Sequence, residues 1–123
     1  MTTDRVSLVV AAPVIAAVCA HTAAATPGVV RLEPGLRGLA SAAWRAGRQR
    51  WSDTDPAPGH GVRVRRSDTR LRVWVDITIS ATARATDVGC AVQRAIVRSV
   101  LENTGDHVDE VSVCVLDIAP EPP

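Results

Sequence analysis

The 123-residue chain has no Phe, no Tyr and no Lys, and a single Met. Without Phe and Tyr, its interior must be built from Val, Ile, Leu and Ala, with three Trp as the aromatic content. Without Lys, all 14 basic residues are Arg. Alongside so much Ala and Val, that Arg content reads as GC-rich coding bias. Only three Cys are present, at 19, 90 and 114, and no two form a C-x-x-C pair. An odd, scattered set would leave one thiol unpaired in a secreted chain, so a reducing compartment and small buried thiols are expected. No apolar run reaches the roughly 18 residues that a membrane-spanning helix needs. Net charge is +1, so bulk charge alone selects neither nucleic acid nor anionic membrane. What remains is an ordinary globular composition, 46% hydrophobic and 22% charged, long enough for one domain with a core of its own.

The N-terminus resembles a secretory signal in one respect, the apolar run from Val6 to Ala20. Asp4 cancels Arg5, Pro13 interrupts the run, and Val18 precedes Cys19 where a lipoprotein signal needs a small residue. No cleaved signal is expected.

Period and punctuation divide the rest. Arg5 to Val10 reads as a short strand. Pro13 suits the start of a helix over Val14 to Ala25, which Pro27-Gly28 ends. Val29 to Leu32 reads as a second strand. Leu36 to Gly61 reads as an insertion, partly helical, closing in a flexible loop from Asp53. Val62 to Arg66 and Arg70 to Ser80 read as a hairpin about Ser67-Asp68-Thr69. In the longer strand Leu71, Val73, Val75, Ile77 and Ile79 share one face, and Arg70, Arg72, Trp74, Asp76, Thr78 and Ser80 the other, expected in water. Thr86 is the expected N-cap of a helix to Asn103, stopped by Gly105. Glu110 to Ile118 reads as the last strand, with Val111, Val113 and Val115 inward. The predicted architecture is α+β, a two-layer sandwich. A mixed sheet carries two helices on one face, in the order β-α-β, insertion, β-β-α-β. Residues 1–118 form the domain, 36–61 the insertion and 119–123 a Pro-rich tail.

Three stretches in this order carry a family likeness. Pro13-Val14-Ile15-Ala16-Ala17-Val18 leads to Thr26-Pro27-Gly28-Val29-Val30. Gly61-Val62-Arg63-Val64 is followed by Leu71-Arg72-Val73-Trp74-Val75-Asp76-Ile77. Val88 to Val100 is followed by Thr104-Gly105 and Val108-Asp109-Glu110-Val111-Ser112-Val113-Cys114-Val115. Together they resemble the alkaline shock protein, or envelope stress response, family of Gram-positive bacteria. The match spans most of 6–118 outside the insertion. It departs from the family pattern at Thr86-Asp87-Val88-Gly89, where a Pro and acidic residues are usual, and in the Arg-rich hairpin. The resemblance implies a non-enzymatic cytoplasmic protein tied to cell-envelope stress. It also implies self-association and a small integral membrane protein as partner, holding the chain peripherally at the inner face of the membrane. It offers no catalytic residues.

The residues themselves point away from catalysis. His21, His60 and His107 are isolated, with no i, i+4 pair and no Cys at zinc spacing. Asp53-Thr54-Asp55 begins like a calcium loop, but Pro58 and Val64 stand where Gly and Glu are required. Gly59-His60-Gly61 lacks the strand-to-helix setting of a phosphate loop. No catalytic residue, cofactor or metal is expected.

Charge placement says more than its sum. Residues 31–72 carry ten Arg against Glu33, Asp53, Asp55 and Asp68, a local +6, and the rest carries four Arg against nine acids, a local −5. Such polarity can attract polyanions at one end and stack copies head-to-tail. Two basic features stand out. A helical wheel over Leu36 to Trp51 gathers Leu36, Leu39, Ala40, Ala43, Trp44 and Trp51 on one side, with Arg37, Arg45 and Arg48 beside or opposite. That is the form of a helix lying on anionic lipid, or of Trp rings packed on their own domain. On the hairpin, Arg63, Arg65, Arg70, Arg72 and Trp74 share an outer face. That face suits a protein partner or single-stranded nucleic acid; one aromatic where RNA-binding sheets offer two or more favours protein. Arg63, Arg65, Arg70, Arg72, Trp74, Trp44 and Trp51 are the candidate contact residues.

Overall fold

The computed structural model describes residues 9–33, the backbone of 55–57, and residues 61–120. The elements are α1 (Ala12–Ala24), β1 (Val29–Leu32), β2 (Asp55–Ala57), β3 (Val62–Ser67), β4 (Arg70–Ser80), α2 (Ala85–Thr104) and β5 (Glu110–Ala119). Both helices pack on one face of the sheet, giving the expected two-layer α+β sandwich.

β4 is the centre of the sheet because its row of β-branched and Leu side chains is apolar throughout. Leu71, Val73, Val75, Ile77 and Ile79 are all at most 1% exposed. Along one edge of β4 runs β5, parallel, from Arg72 to Ser80. The crossover that a parallel pair requires is supplied by α2. The other edge of β4 is shared. β3 pairs antiparallel with Arg70 to Val75, and β1 pairs antiparallel around Ile77 to Ile79. β1 and β3 therefore lie end to end, and the seam falls at Asp76. There the Glu33 amide donates to the Asp76 carbonyl (2.8 Å), and the Asp76 amide donates to the Gly61 carbonyl (3.0 Å). The chain passes Asp76 twice, once at Glu33 and again at Gly61. The two passes are so close that a Cβ on Gly61, whose φ is +68°, would sit 2.9 Å from the Glu33 nitrogen.

The helices fit by small residues. Ile15, Ala16, Cys19, Ala20 and Ala23 of α1 and Val88, Val92, Ile96 and Val100 of α2 are buried in one core with the sheet. α1 lies over β3, β2 and β1; α2 lies beside α1 and over β5. The Thr22 hydroxyl donates to that of Ser99 at 2.8 Å between the helices. Gly105 ends α2 in the left-handed region, φ +80°, and its amide returns to the Leu101 carbonyl.

Four expectations need correction. Val9 and Val10 are not in a strand; the Val10 carbonyl accepts from Arg66 instead, and residues 5–8 of the expected strand lie outside the described residues. Within the segment read as a flexible loop, β2 pairs with β3, Asp55 opposite Val64 and Ala57 opposite Val62. Pro56 is tolerated because an edge strand need not donate on both sides. α2 starts at Ala85 with Arg84 at the N-cap and no side-chain cap, so Thr86 falls inside the first turn. Finally, Asp76 and Thr78 are not in water: they are 4% and 0% exposed although they face away from the helices.

Candidate interaction surface

The alternation of β3 and β4 decides what the outer face holds. Val62 and Val64 point to the helices, so Arg63 and Arg65 point away, as do Arg70, Arg72 and Trp74 on β4. The register sets Arg63 opposite Trp74, Arg65 opposite Arg72, and Ser67 opposite Arg70. The five hairpin residues singled out from the sequence thus form one surface. Trp44 and Trp51, with the rest of the Leu36–Trp51 feature, lie outside the described residues.

The surface is graded in charge. At its inner end a guanidinium nitrogen of Arg63 is 3.6 Å from Asp76 Oδ2, with both side chains largely covered. In its middle Arg72 Nε is 3.6 Å from Glu110 Oε1 on β5, a more exposed pair. Arg65 and Trp74 are half-buried between them, and Arg70 is exposed at the hairpin end. A guanidinium offers planar donors to carboxylate or phosphate, and an indole offers a flat apolar face. Together they can meet a group that is anionic at one end and flat or apolar at the other.

Beyond Asp76 the face becomes a closed polar cluster that sequence reasoning missed. Glu33 Oε2 accepts from the buried Thr78 hydroxyl at 2.6 Å and from Arg31 Nε at 2.7 Å. The Thr78 hydrogen bond, helped by Arg31 and opposed by burial, holds the Glu33 carboxyl below its ordinary range. A signal was present: Asp is depleted in strands, and Asp76 stands in the middle of the longest one. Two further residues were missed at the opposite end of the sheet. Arg66 joins the Val10 carbonyl to Asp106 Oδ2 (3.2 Å). Asp109 accepts the Leu71 amide on its carboxylate at 2.7 Å and returns its own amide to the Leu71 carbonyl.

Elsewhere the chemistry is sparse. Among the described residues no group of three His, Cys, Asp or Glu side chains could hold a metal ion. His21, on α1, and His107, in the turn after α2, are both exposed, and His60 is outside the described residues. Burial pushes the Cys19 thiol up to about 12, away from nucleophilic use. No helix among the described residues is long and apolar enough to cross a membrane.

Against known proteins, no curated protein and no solved structure matches the chain. One family model does, over residues 1–120: that of the alkaline shock protein family, with a cell envelope-related function.

Proposed function

The chain belongs to the alkaline shock protein family, whose function is cell envelope-related, and from that premise we propose a non-enzymatic interaction protein of the envelope stress response. It acts by self-association and by docking to a small integral membrane protein, from the cytoplasmic side and peripheral to the membrane. The observation that supports this reading is the assembly of Arg63, Arg65, Arg70, Arg72 and Trp74 on one sheet face, in register and away from the helices. Arg and Trp are residue types that concentrate binding energy at protein interfaces.

The test is a native pull-down from the source cells, with and without nuclease, using the wild-type chain and an Arg70→Glu/Arg72→Glu variant. A nuclease-resistant integral membrane protein, recovered with wild type and lost with the variant, is the expected result. The same face supports a second reading, since the accessible Arg70 and Arg72 offer phosphate contacts beside Trp74 as a stacking platform. Recovery that nuclease abolishes would favour that nucleic-acid reading over docking. Affinity for single strands would then fall by about 0.7 log units per log unit of salt for each phosphate contact. Direct lipid contact through residues 36–51 is tested separately: Trp44→Ala with Trp51→Ala should lower binding to anionic vesicles.

A further inference from the structure

The inward rows of β4 and β5 are covered to different degrees. The register sets Val73, Val75, Ile77 and Ile79 beside Val111, Val113, Val115 and Ile118, so both rows face the helix layer. The β4 row is at most 1% exposed. The β5 valines pack on the core yet stay half-exposed, and Ile118 is 55% exposed. The reason lies in how α2 is turned. Val88, Val92, Ile96 and Val100 are its buried side, and Ser99, which meets Thr22, marks its flank toward α1. At roughly 100° per residue, Gly89, Gln93, Val97 and Leu101 follow one another along the opposite flank, above β5. Gln93 ties this flank to β5 through the Val111 carbonyl at 2.9 Å. Val97 and Leu101 remain 40% and 41% exposed, and a Cβ on Gly89 would meet nothing within 4 Å. The result is an apolar groove in the helix layer, with α2 as its wall and the inward row of β5 as its floor. Among the described residues no helix lies beyond α2. Helices pack about 8–10 Å apart, so one more laid beside α2 would cover Val97, Leu101 and the β5 valines together.

Charge selects the occupant. Next round α2 from Val97 and Leu101 come Arg94 and Arg98, which form the rim of the groove and are both exposed. Neither is held in an ion pair among the described residues; Glu102, one turn beyond Arg98, forms none with it. A second copy's α2, laid antiparallel in the groove about a two-fold axis, would set these arginines against the same pair, and like charges so placed repel. The chain's own Leu36–Trp51 stretch would bring Arg37, Arg45 and Arg48, again of the same sign. We propose that the groove takes an amphipathic α-helix of another protein, flanked on one side of its apolar stripe by acidic residues. The stripe lies on Val97, Leu101, Val113 and Val115, and the acidic flank meets Arg94 and Arg98. The groove is on the side of the sheet away from the Arg/Trp face and does not depend on what that face binds.

The probes are two synthetic helical peptides of about five turns, with the same leucine and alanine stripe and either glutamate or arginine along one flank. Binding to the isotopically labelled full chain is followed by amide chemical shifts. The glutamate peptide should shift α2 from Gly89 to Leu101 and β5 from Val111 to Ile118. It should bind at least about tenfold tighter than the arginine peptide. Arg94→Glu with Arg98→Glu, two exposed substitutions that leave the core intact, should invert that preference. Equal binding of the two peptides overturns the proposal. So do shifts confined to the β3–β4 hairpin, which would place the acidic peptide on the Arg/Trp face, or no shift at millimolar peptide. Concentration-dependent shifts of α2 and β5 without peptide overturn it in favour of a second copy.

Discussion

Two side chains show how position outweighs residue type. Cys19 lies with no exposure on the sheet-facing side of α1, whereas Cys90 and Cys114 are half-exposed. With its thiol raised to about 12, Cys19 should resist iodoacetamide at pH 8 while Cys90 reacts, and should label only on unfolding; mass spectrometry of the alkylated chain checks this. Glu33 is the converse case, a carboxylate held in its charged form by the Thr78 hydroxyl first and Arg31 second. Its folded pKa lies below the ordinary value. The stability it contributes is therefore fully present above the ordinary carboxylate range and is lost as pH falls through the folded pKa. Thr78→Val should raise the Glu33 pKa toward its ordinary value and reduce this part of the acid dependence. Carbon-detected titration of Glu33, with urea unfolding between pH 3 and 7, measures both.

The elements differ in how tightly their ends are specified. Gly28 follows α1 with φ +96°, and a Cβ there would stand 2.6 Å from Val88 Cγ2. The start of α2 rests directly on this turn. Gly28→Ala should cost about 2 kcal/mol or more, from backbone strain and the clash together. Gly89, one position after Val88, has nothing within 4 Å of its would-be Cβ and ordinary helical φ. Gly89→Ala should therefore stabilise the chain by about 0.5–1 kcal/mol through helix propensity. Opposite shifts in the urea midpoint, with the slope unchanged, are the expected outcome. At the start of β5, Asp109 stands in for a strand residue by taking the Leu71 amide. Asp109→Ala should destabilise by about 1–2 kcal/mol, the cost of leaving a partly buried amide without its acceptor.

At the scale of the whole molecule the dominant feature is polarity. The Arg-rich stretch 31–72 contributes the hairpin, on the β3 side of β4, and the Arg-free stretch from Ser99 contributes β5, on the other side. Head-to-tail association driven by that polarity should weaken as salt shortens the Debye length to about 10 Å at 0.1 M. Sedimentation velocity across a salt series reads it out. An association that strengthens with salt would instead point to the exposed apolar residues Val14, Val30 and Ile118.

The sequence alone determined what depends on local period and punctuation. The alternation of Leu71 to Ile79 set β4 and its buried row, because a strand of period two must place that row on one side. Gly105 set the end of α2, because few other residues take the left-handed turn. The hairpin register followed, and with it the grouping of Arg63, Arg65, Arg70, Arg72 and Trp74. Only the tertiary structure decided that β1 and β3 share one edge of β4, since no local pattern records which strand lies beside which. That sharing puts Glu33 against Thr78 and Arg63 against Asp76, and so removes from water two polar residues that alternation assigned to it. It likewise decided that β5 joins the sheet alongside β4 and, among the described residues, pairs with no other strand. An inward row of valines reads the same whether its far edge is covered or open, because alternation records the face a side chain takes and not the strands beside it.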